Sequence, residues 1–292
     1  MNVIGRLTIR NLKVYFRDKI SVFFSFLSVI IIISLYALFL GNVQVESIKS
    51  QVGGINGIRY LVDSWIMAGV IASNTVTVTL GALGTMVDDI QKDIFQDFMV
   101  SPINRRQIVA GYILSSLIVG ITMSIVVFIA AELYIVAYGG KILSFNLTLK
   151  ILGVILACVF SSASMVFFVA TFIKTNSAFG TVSTVIGTII GFVAGIYIPI
   201  GALPEGVQKA VKILPISYGV TLLRQIFTKD ALSIVFKDAP AEYLNSYMET
   251  QGIQIRISGN IVSERTIIAI LIISGIIFFA LSVFRLLKYK KH

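Results

Sequence analysis

Residues 88–107 read DDIQKDIFQDFMVSPINRRQ, a charged island between two long apolar runs. The island is too short to fold alone and too regular for a plain linker. At helical spacing Ile90, Ile94 and Phe98 share one side, with Phe95 and Met99 close by. Asp89, Lys92, Asp93, Gln96 and Asp97 take much of the rest. The flanks decide the fold. Of 292 residues, 57% are hydrophobic and 13% charged, against roughly half and about a quarter in a soluble domain. A water-soluble core cannot hide that much apolar surface, so the composition predicts an integral membrane protein.

The uncharged runs are 20–45, 64–87, 107–131, 151–173, 175–204 and 266–284. Each suffices to cross the hydrocarbon core as a helix, which takes about 18–20 residues. Their apolar character is continuous rather than alternating, which argues against a barrel. The reading is an all-α membrane protein with six spans, the fifth ending near 198 with a surplus at 199–204.

Lys and Arg set the orientation. Arg6, Arg10, Lys13, Arg17 and Lys19 precede the first span, and Arg285, Lys288, Lys290 and Lys291 end the chain. Both termini are therefore predicted to be cytoplasmic, with 88–106 and the turn at 174–176 on the same side. Segments 46–63, 132–150 and 205–265 then face outward. The net charge of +10 reports topology and anionic headgroups, not nucleic-acid binding. Arg6, Arg10, Lys13 and Arg17 form one helical stripe opposite Ile4, Leu7, Leu12, Val14 and Tyr15. Residues 1–19 read as an amphipathic helix in the headgroup plane, touching membrane lipids, or as a topology signal alone. A cleaved signal peptide does not fit the long apolar run that follows.

Much chemistry is missing. The single histidine is His292 and the single cysteine Cys158, so no metal cluster is readable and Cys158 reads as a packing residue. No phosphate-cradling Gly-x-x-x-x-Gly-Lys loop occurs, and the spans hold almost no ionisable groups, unlike those of ion-coupled carriers. Any work done by this chain draws its energy from another polypeptide. The island supplies a way to receive it. A short amphipathic helix with Phe95, Phe98 and Met99 as knobs and acids as flanks suits a groove on a soluble partner. The alternative is a helix lying on the membrane, against which its acids count. Ser101 and Pro102 read as the N-cap and first position of span three, anchored by Arg105 and Arg106.

At this point the sequence resembles the permease subunits of ATP-binding-cassette exporters of the drug- and polysaccharide-exporter type. FMVSPINRRQIVAG resembles the end of that family's coupling helix, with Ser101, Pro102, Arg105, Arg106 and Gly111 in place. Upstream, Gln91-Lys92-Asp93-Ile94 departs from the family's Glu-x-Gly-Thr. IPIGALPEGVQKAVKILPISYGVTLLRQIF resembles the pattern after span five through Pro199, Leu203, Pro204, Gln208, Pro215, Tyr218 and Arg224. The resemblance implies an interfacial helix at 1–19, a coupling helix at 88–100 and a re-entrant outer segment at 199–227. It covers most of the chain and fits least at 228–262, where the loop to 265 reads as an addition. Pro199, Pro204 and Pro215 break continuous helix, and Gly201 and Gly206 permit tight turns.

Three further expectations concern side chains. Gly187, Gly191 and Gly195 form a stripe for helix packing, within the subunit or across a dimer. Asn74, Thr75, Thr77, Thr79, Ser161, Ser162 and Ser164 line a path or bond their own helical turn, the latter preferred. Arg224 has apolar neighbours on both sides and needs a partner, Glu132 preferred over Glu205, or else snorkels to the outer headgroups.

The resemblance implies a permease that binds no cofactor itself. ATP and Mg would sit on a separate ATPase subunit in two copies, paired with a second permease copy or a sister permease. The expected cargo is hydrophobic or amphipathic, such as an antibiotic, toxin or pigment-like lipid. A lipid-linked glycan, or a non-transporting sensor or immunity role, are the alternatives. The expected location is a multi-pass site in a bacterial plasma membrane.

Overall fold

A computed structural model describes residues 3–52, 56–257 and 259–287. Lys288, Lys290, Lys291 and His292 lie outside them, as does the Met99 side chain. The helices are α1 Val3–Arg17, α2 Lys19–Leu35, α3 Gly41–Val52, α4 Ile58–Gln91, α5 Ile94–Val100, α6 Arg105–Ala137, α7 Phe145–Ala170, α8 Asn176–Val193, α9 Glu205–Ile213, α10 Pro215–Val235, α11 Ala241–Thr250 and α12 Glu264–Leu287. A π-helical turn, Tyr36–Leu40, joins α2 to α3. Among the described residues, six segments are long and apolar enough to cross a membrane: Lys19–Ser50, Ile58–Gln91, Arg105–Ala137, Phe145–Ala170, Asn176–Val193 and Glu264–Arg285. They are the six spans that the hydropathy predicts.

The core forms around α4, whose side chains are buried along nearly its whole length. It packs on α6, α7, α8 and α10. Close approach needs small residues: a Cβ at Gly120 of α6 would lie 2.7 Å from both Thr79 of α4 and Val159 of α7. The outer helices expose apolar side chains, including Phe23 and Phe24 of α2 and Ile273, Ile276 and Phe284 of α12. In a bilayer such exposure costs nothing, because lipid tails are as apolar as these side chains.

Local structure departs from the sequence reading in four places. The single helix predicted at 88–100 is two pieces. α4 runs on through Gln91, the chain turns at Lys92–Asp93 with Asp93 at φ 60°, and α5 has seven residues. α6 starts later than Ser101–Pro102 suggested. Its N-cap is Asn104, whose side chain accepts from Arg106 N at 3.2 Å while Gln107 Oε1 accepts from Asn104 N at 3.2 Å. That reciprocal pair satisfies donors a helix end leaves open.

The glycine stripe is not a packing seam between helices of the subunit itself. A Cβ at Gly187 meets nothing within 4 Å, Gly191 lies against the Tyr197 ring, and Gly195 lies beyond α8 at φ 61°. Finally, the segment predicted at 199–227, broken at its three prolines, runs on past its expected end. Pro199 precedes a 3-10 turn, Ile200–Ala202, and Pro204 precedes a largely exposed α9. Pro215 opens a buried α10 that runs on to Val235. α10 runs antiparallel to α4: Arg224 adjoins Gly69, and Ile234 and Val235 adjoin Gly57. Beyond it, α11 and a small hairpin, Arg256–Ile257 with Asn260–Ile261, cover that end of the bundle.

Candidate functional site

Asp89, in the last turn of α4, is 3% exposed. A carboxylate so buried requires hydrogen bonds and a counter-charge. α1 supplies Arg10, which donates through Nη1 and Nη2 to the two carboxylate oxygens, the Nη2–Oδ1 distance being 2.7 Å. α6 supplies Tyr112, whose hydroxyl donates to Asp89 Oδ2 at 2.5 Å. The two-pronged grip is a guanidinium geometry that lysine cannot reproduce. The Asp89 hydrogen bond outweighs partial burial and holds the Arg10 pKa above its ordinary value. α5 closes the knot. Phe95 is buried with its ring 6.2 Å from that of Tyr112, and the Arg10 guanidinium lies 5.8 Å from the centre of Phe98.

Two of the expected roles change accordingly. Phe95 faces its own chain rather than outward, and Arg10 leaves the surface stripe while Arg6, Lys13 and Arg17 stay exposed. The buried face of α1 is Leu7, Thr8, Asn11 and Tyr15, packed on α6 and α4. Among the described side chains of α5, Gln96, Asp97 and Val100 are exposed, the last 70% exposed. Lys92 stands 3.7 Å from Asp88. Ser101 ends α5, its hydroxyl donating to Phe98 O at 2.7 Å, and Pro102, Arg105 and Arg106 are exposed at the entry to α6.

Asp88 points the other way from Asp89, because successive residues sit about 100° apart on a helix. It accepts from the Asn176 side chain, and Gln91 Oε1 accepts from Asn176 N at 2.6 Å. The start of α8 is thus tied to the last turn of α4.

Arg224 of α10 occupies the opposite half of the bundle and has no exposed surface. Its Nη1 donates to Gln251 O at 3.0 Å, and its Nη2 to Ala194 O at 2.7 Å and Gly195 O at 3.3 Å. The guanidinium stacks 4.1 Å from the centre of the Trp65 ring, and Trp65 Nε1 donates to the same Gln251 O at 2.7 Å. Ala194 and Gln251 are the C-caps of α8 and α11. Helix C-termini present unsatisfied carbonyls and the negative end of the dipole. Two helix ends therefore do for Arg224 what a carboxylate was expected to do. Glu132 instead accepts from Leu143 N at 3.1 Å, and Glu205 is exposed at the start of α9. Snorkelling is ruled out by the burial. Gly195 and Gly252 have positive φ and leave room for the guanidinium; a Cβ would sit 3.1 and 3.0 Å from it. Tyr36 of the π turn donates to Ile196 O at 2.6 Å, so three successive carbonyls at the end of α8 are held. Tyr218 is buried on the same helix as Arg224.

Between α2, α4 and α8 lies a cavity of 230 Å³. Asn74, Thr77, Thr184 and Thr188 face it beside Val29, Ile32 and Ile190, and no Asp, Glu, Lys or Arg lines it. Among the polar span residues singled out above, Thr75 and Thr79 bond back to Ala72 O and Thr75 O, Ser162 lies 3.1 Å from Thr75, and Ser161 of α7 meets Ser274 of α12. Among the described residues no group of three His, Cys, Asp or Glu could hold a metal.

Tyr112, Asn176 and Trp65 escaped the sequence reading. A partial signal existed for each: Tyr112 stands in the first turns of the span that follows the acidic island, Asn176 opens a span, and Trp65 is the only tryptophan.

The fold and the knot define a multi-pass membrane protein with a clamped helical island at one end. A family model described as ABC-2 type transporter matches residues 2–228, and the chain belongs to that family of membrane permeases. No curated protein matches the chain.

Proposed function

We propose that the chain is the permease of an ATP-driven exporter, with α1, α5 and both termini on the cytoplasmic side. A separate ATPase in two copies would carry ATP and Mg, and a second copy or a sister permease would complete the translocation path in a bacterial plasma membrane. The observation that carries this reading is the two-sidedness of α5. Its inner face is locked through Phe95 to α6 and through Phe98 to α1, while Gln96, Asp97 and Val100 face out. A helix gripped on one side and bare on the other transmits a push from a docked domain to the spans. The exposed basic residues of α1, Arg6, Lys13 and Arg17, suit anionic headgroups.

The cavity between α2, α4 and α8 supports the cargo class. Its hydroxyl and amide groups lie among aliphatic side chains without a charged group, which suits a neutral amphipathic molecule. A charged cargo would lose its hydration there without a counter-ion. The test is capture of the proposed ATPase subunit by the purified permease. Asp97→Lys with Val100→Asp is expected to leave the permease folded and to abolish capture and ATP-driven transport. Undiminished capture by that variant would overturn α5 as the docking element.

A further inference from the structure

We propose that Asp88, Gln91 and Asn176 form the tether that carries a displacement of α5 to α8, and that α8 swings about a fulcrum at its other end, held by Arg224. This rests on α5 being the element that the ATPase moves.

The geometry of α8 carries the argument. Its buried residues, Ile190, Gly191 and Val193, all lie in its last turns. Just beyond them Arg224 holds the carbonyls of Ala194 and Gly195, and Tyr36 holds that of Ile196. Arg224 is itself fixed by the Trp65 stack and the Gln251 carbonyl. That end cannot translate without breaking buried hydrogen bonds. Toward its start α8 is exposed or half-buried, and a cavity of 220 Å³ opens between its first turns and α1, α2 and α4, with Phe179 resting against Gly84 at its edge. Across this gap run the hydrogen bonds from the Asn176 side chain to Asp88 and from Asn176 N to Gln91. Asp88 and Gln91 end α4 immediately before the turn at Lys92–Asp93 that leads into α5.

The neighbouring Asp89 serves a different body. It locks α4 to α1 and α6 through buried partners. One turn of α4 thus grips a rigid block on one side and a loosely seated helix on the other. A push on α5 tilts the block about the Trp65 end of α4, where Arg224 sits, and the tether conveys the tilt to the start of α8, whose Thr184 and Thr188 line the cavity between α2, α4 and α8. Asp88, Gln91 and Asn176 are positioning residues in this scheme.

The experiment uses the permease with its ATPase in lipid nanodiscs, in a Cys158→Ala background. Thr184→Cys reports the position of α8 through its labelling rate by an impermeant maleimide, with and without ATP and vanadate. The tethered protein is expected to change its labelling rate severalfold on trapping. Asn176→Ala with Gln91→Ala should capture the ATPase and hydrolyse ATP as before, yet show no change in labelling. In a separate pair without the reporter, a disulfide between Asp88→Cys and Asn176→Cys should preserve ATP-driven transport, and its reduction should abolish it. A labelling change that survives Asn176→Ala with Gln91→Ala overturns the tether, as does transport that is blocked by the disulfide. Undiminished ATPase capture by Asp97→Lys with Val100→Asp would instead refute the docking role of α5, on which the tether rests.

Discussion

At Asp89 a single carboxylate meets a guanidinium, a phenol and almost no water, so the loss of any one partner is felt by the others. Breaking a buried ion pair costs about 3–5 kcal/mol where both charges are fully buried. Arg10 keeps a third of its side chain exposed, so the lower end of that range applies here. Asp89→Asn should therefore lower the melting temperature of the detergent-purified permease more than Tyr112→Phe. The second change removes one hydrogen bond but leaves the ion pair, at about 1–3 kcal/mol. Thermal unfolding followed by size-exclusion chromatography checks the order, and equal melting of Asp89→Asn and wild type would show that the knot contributes nothing. Arg224 poses the opposite problem, a buried cation without an acid. Its three carbonyls and the Trp65 face together require a planar fork, and a lysine ammonium is a point donor without a stacking face. Arg224→Lys should not restore the stack, and the emission of Trp65, the sole tryptophan, should move to the red as water enters. Unchanged emission would mean that the stack is dispensable. Glu132→Arg should rescue no charge reversal at 224, because Glu132 is engaged with Leu143 N.

At the scale of elements, what was legible in the sequence follows from how local each signal is. The six spans were legible because uncharged runs of that length have one stable outcome in lipid. The bundle's central place for α4 was not, since α4 is no more apolar than the outer helices; burial there is decided by which neighbours close around it. The break at Asp93 was hidden because a left-handed residue of that type is chosen by its tertiary setting as much as by its identity. The start of α6 was open to reading: Asn104 and Gln107 stand at capping-box spacing, and Ser101 three residues earlier offered a plausible decoy. Arg224 could not be paired from sequence because its acceptors are backbone carbonyls, which every residue carries. Phe95 illustrates the cost of reading a short helix without its surroundings. Either of two faces of α5 could turn outward, and the Tyr112 ring decides it. In the docking experiment, Phe95→Ala is therefore expected to behave unlike the outer-face pair. A buried Phe truncated to Ala costs about 3–5 kcal/mol, so Phe95→Ala should lower stability and lose ATPase capture as a consequence. Asp97→Lys with Val100→Asp should lose capture at wild-type stability. Equal melting of the two variants would place Phe95 on the docking face after all.

At the scale of the molecule, an even number of spans puts both termini on one side, and the arrangement of helix ends assigns the loops. The end of α4, α5, the start of α6 and the start of α8 gather beside α1. The start of α4, the end of α8, Gln251 and the end of α10 gather at the other end. The charge of residues 1–19 then predicts which end meets the cytoplasm, since Lys and Arg are retained on that side during insertion. Lys174, in the turn between α7 and α8, and Asn245, in α11, are exposed residues of opposite ends. In a Cys158→Ala background, Asn245→Cys should react with an impermeant maleimide on intact cells. Lys174→Cys should react only once the cells are opened. Cys158 is buried in α7, so its removal clears the background without touching either end. The two sites make the assay self-checking. A reversed insertion would exchange the two results, and an odd number of crossings between the sites would be lost if α8 or the segment 199–235 were threaded differently. Labelling of both sites from outside would break the six-span arrangement, and labelling of position 174 alone would keep the fold but turn α5 away from any cytoplasmic ATPase.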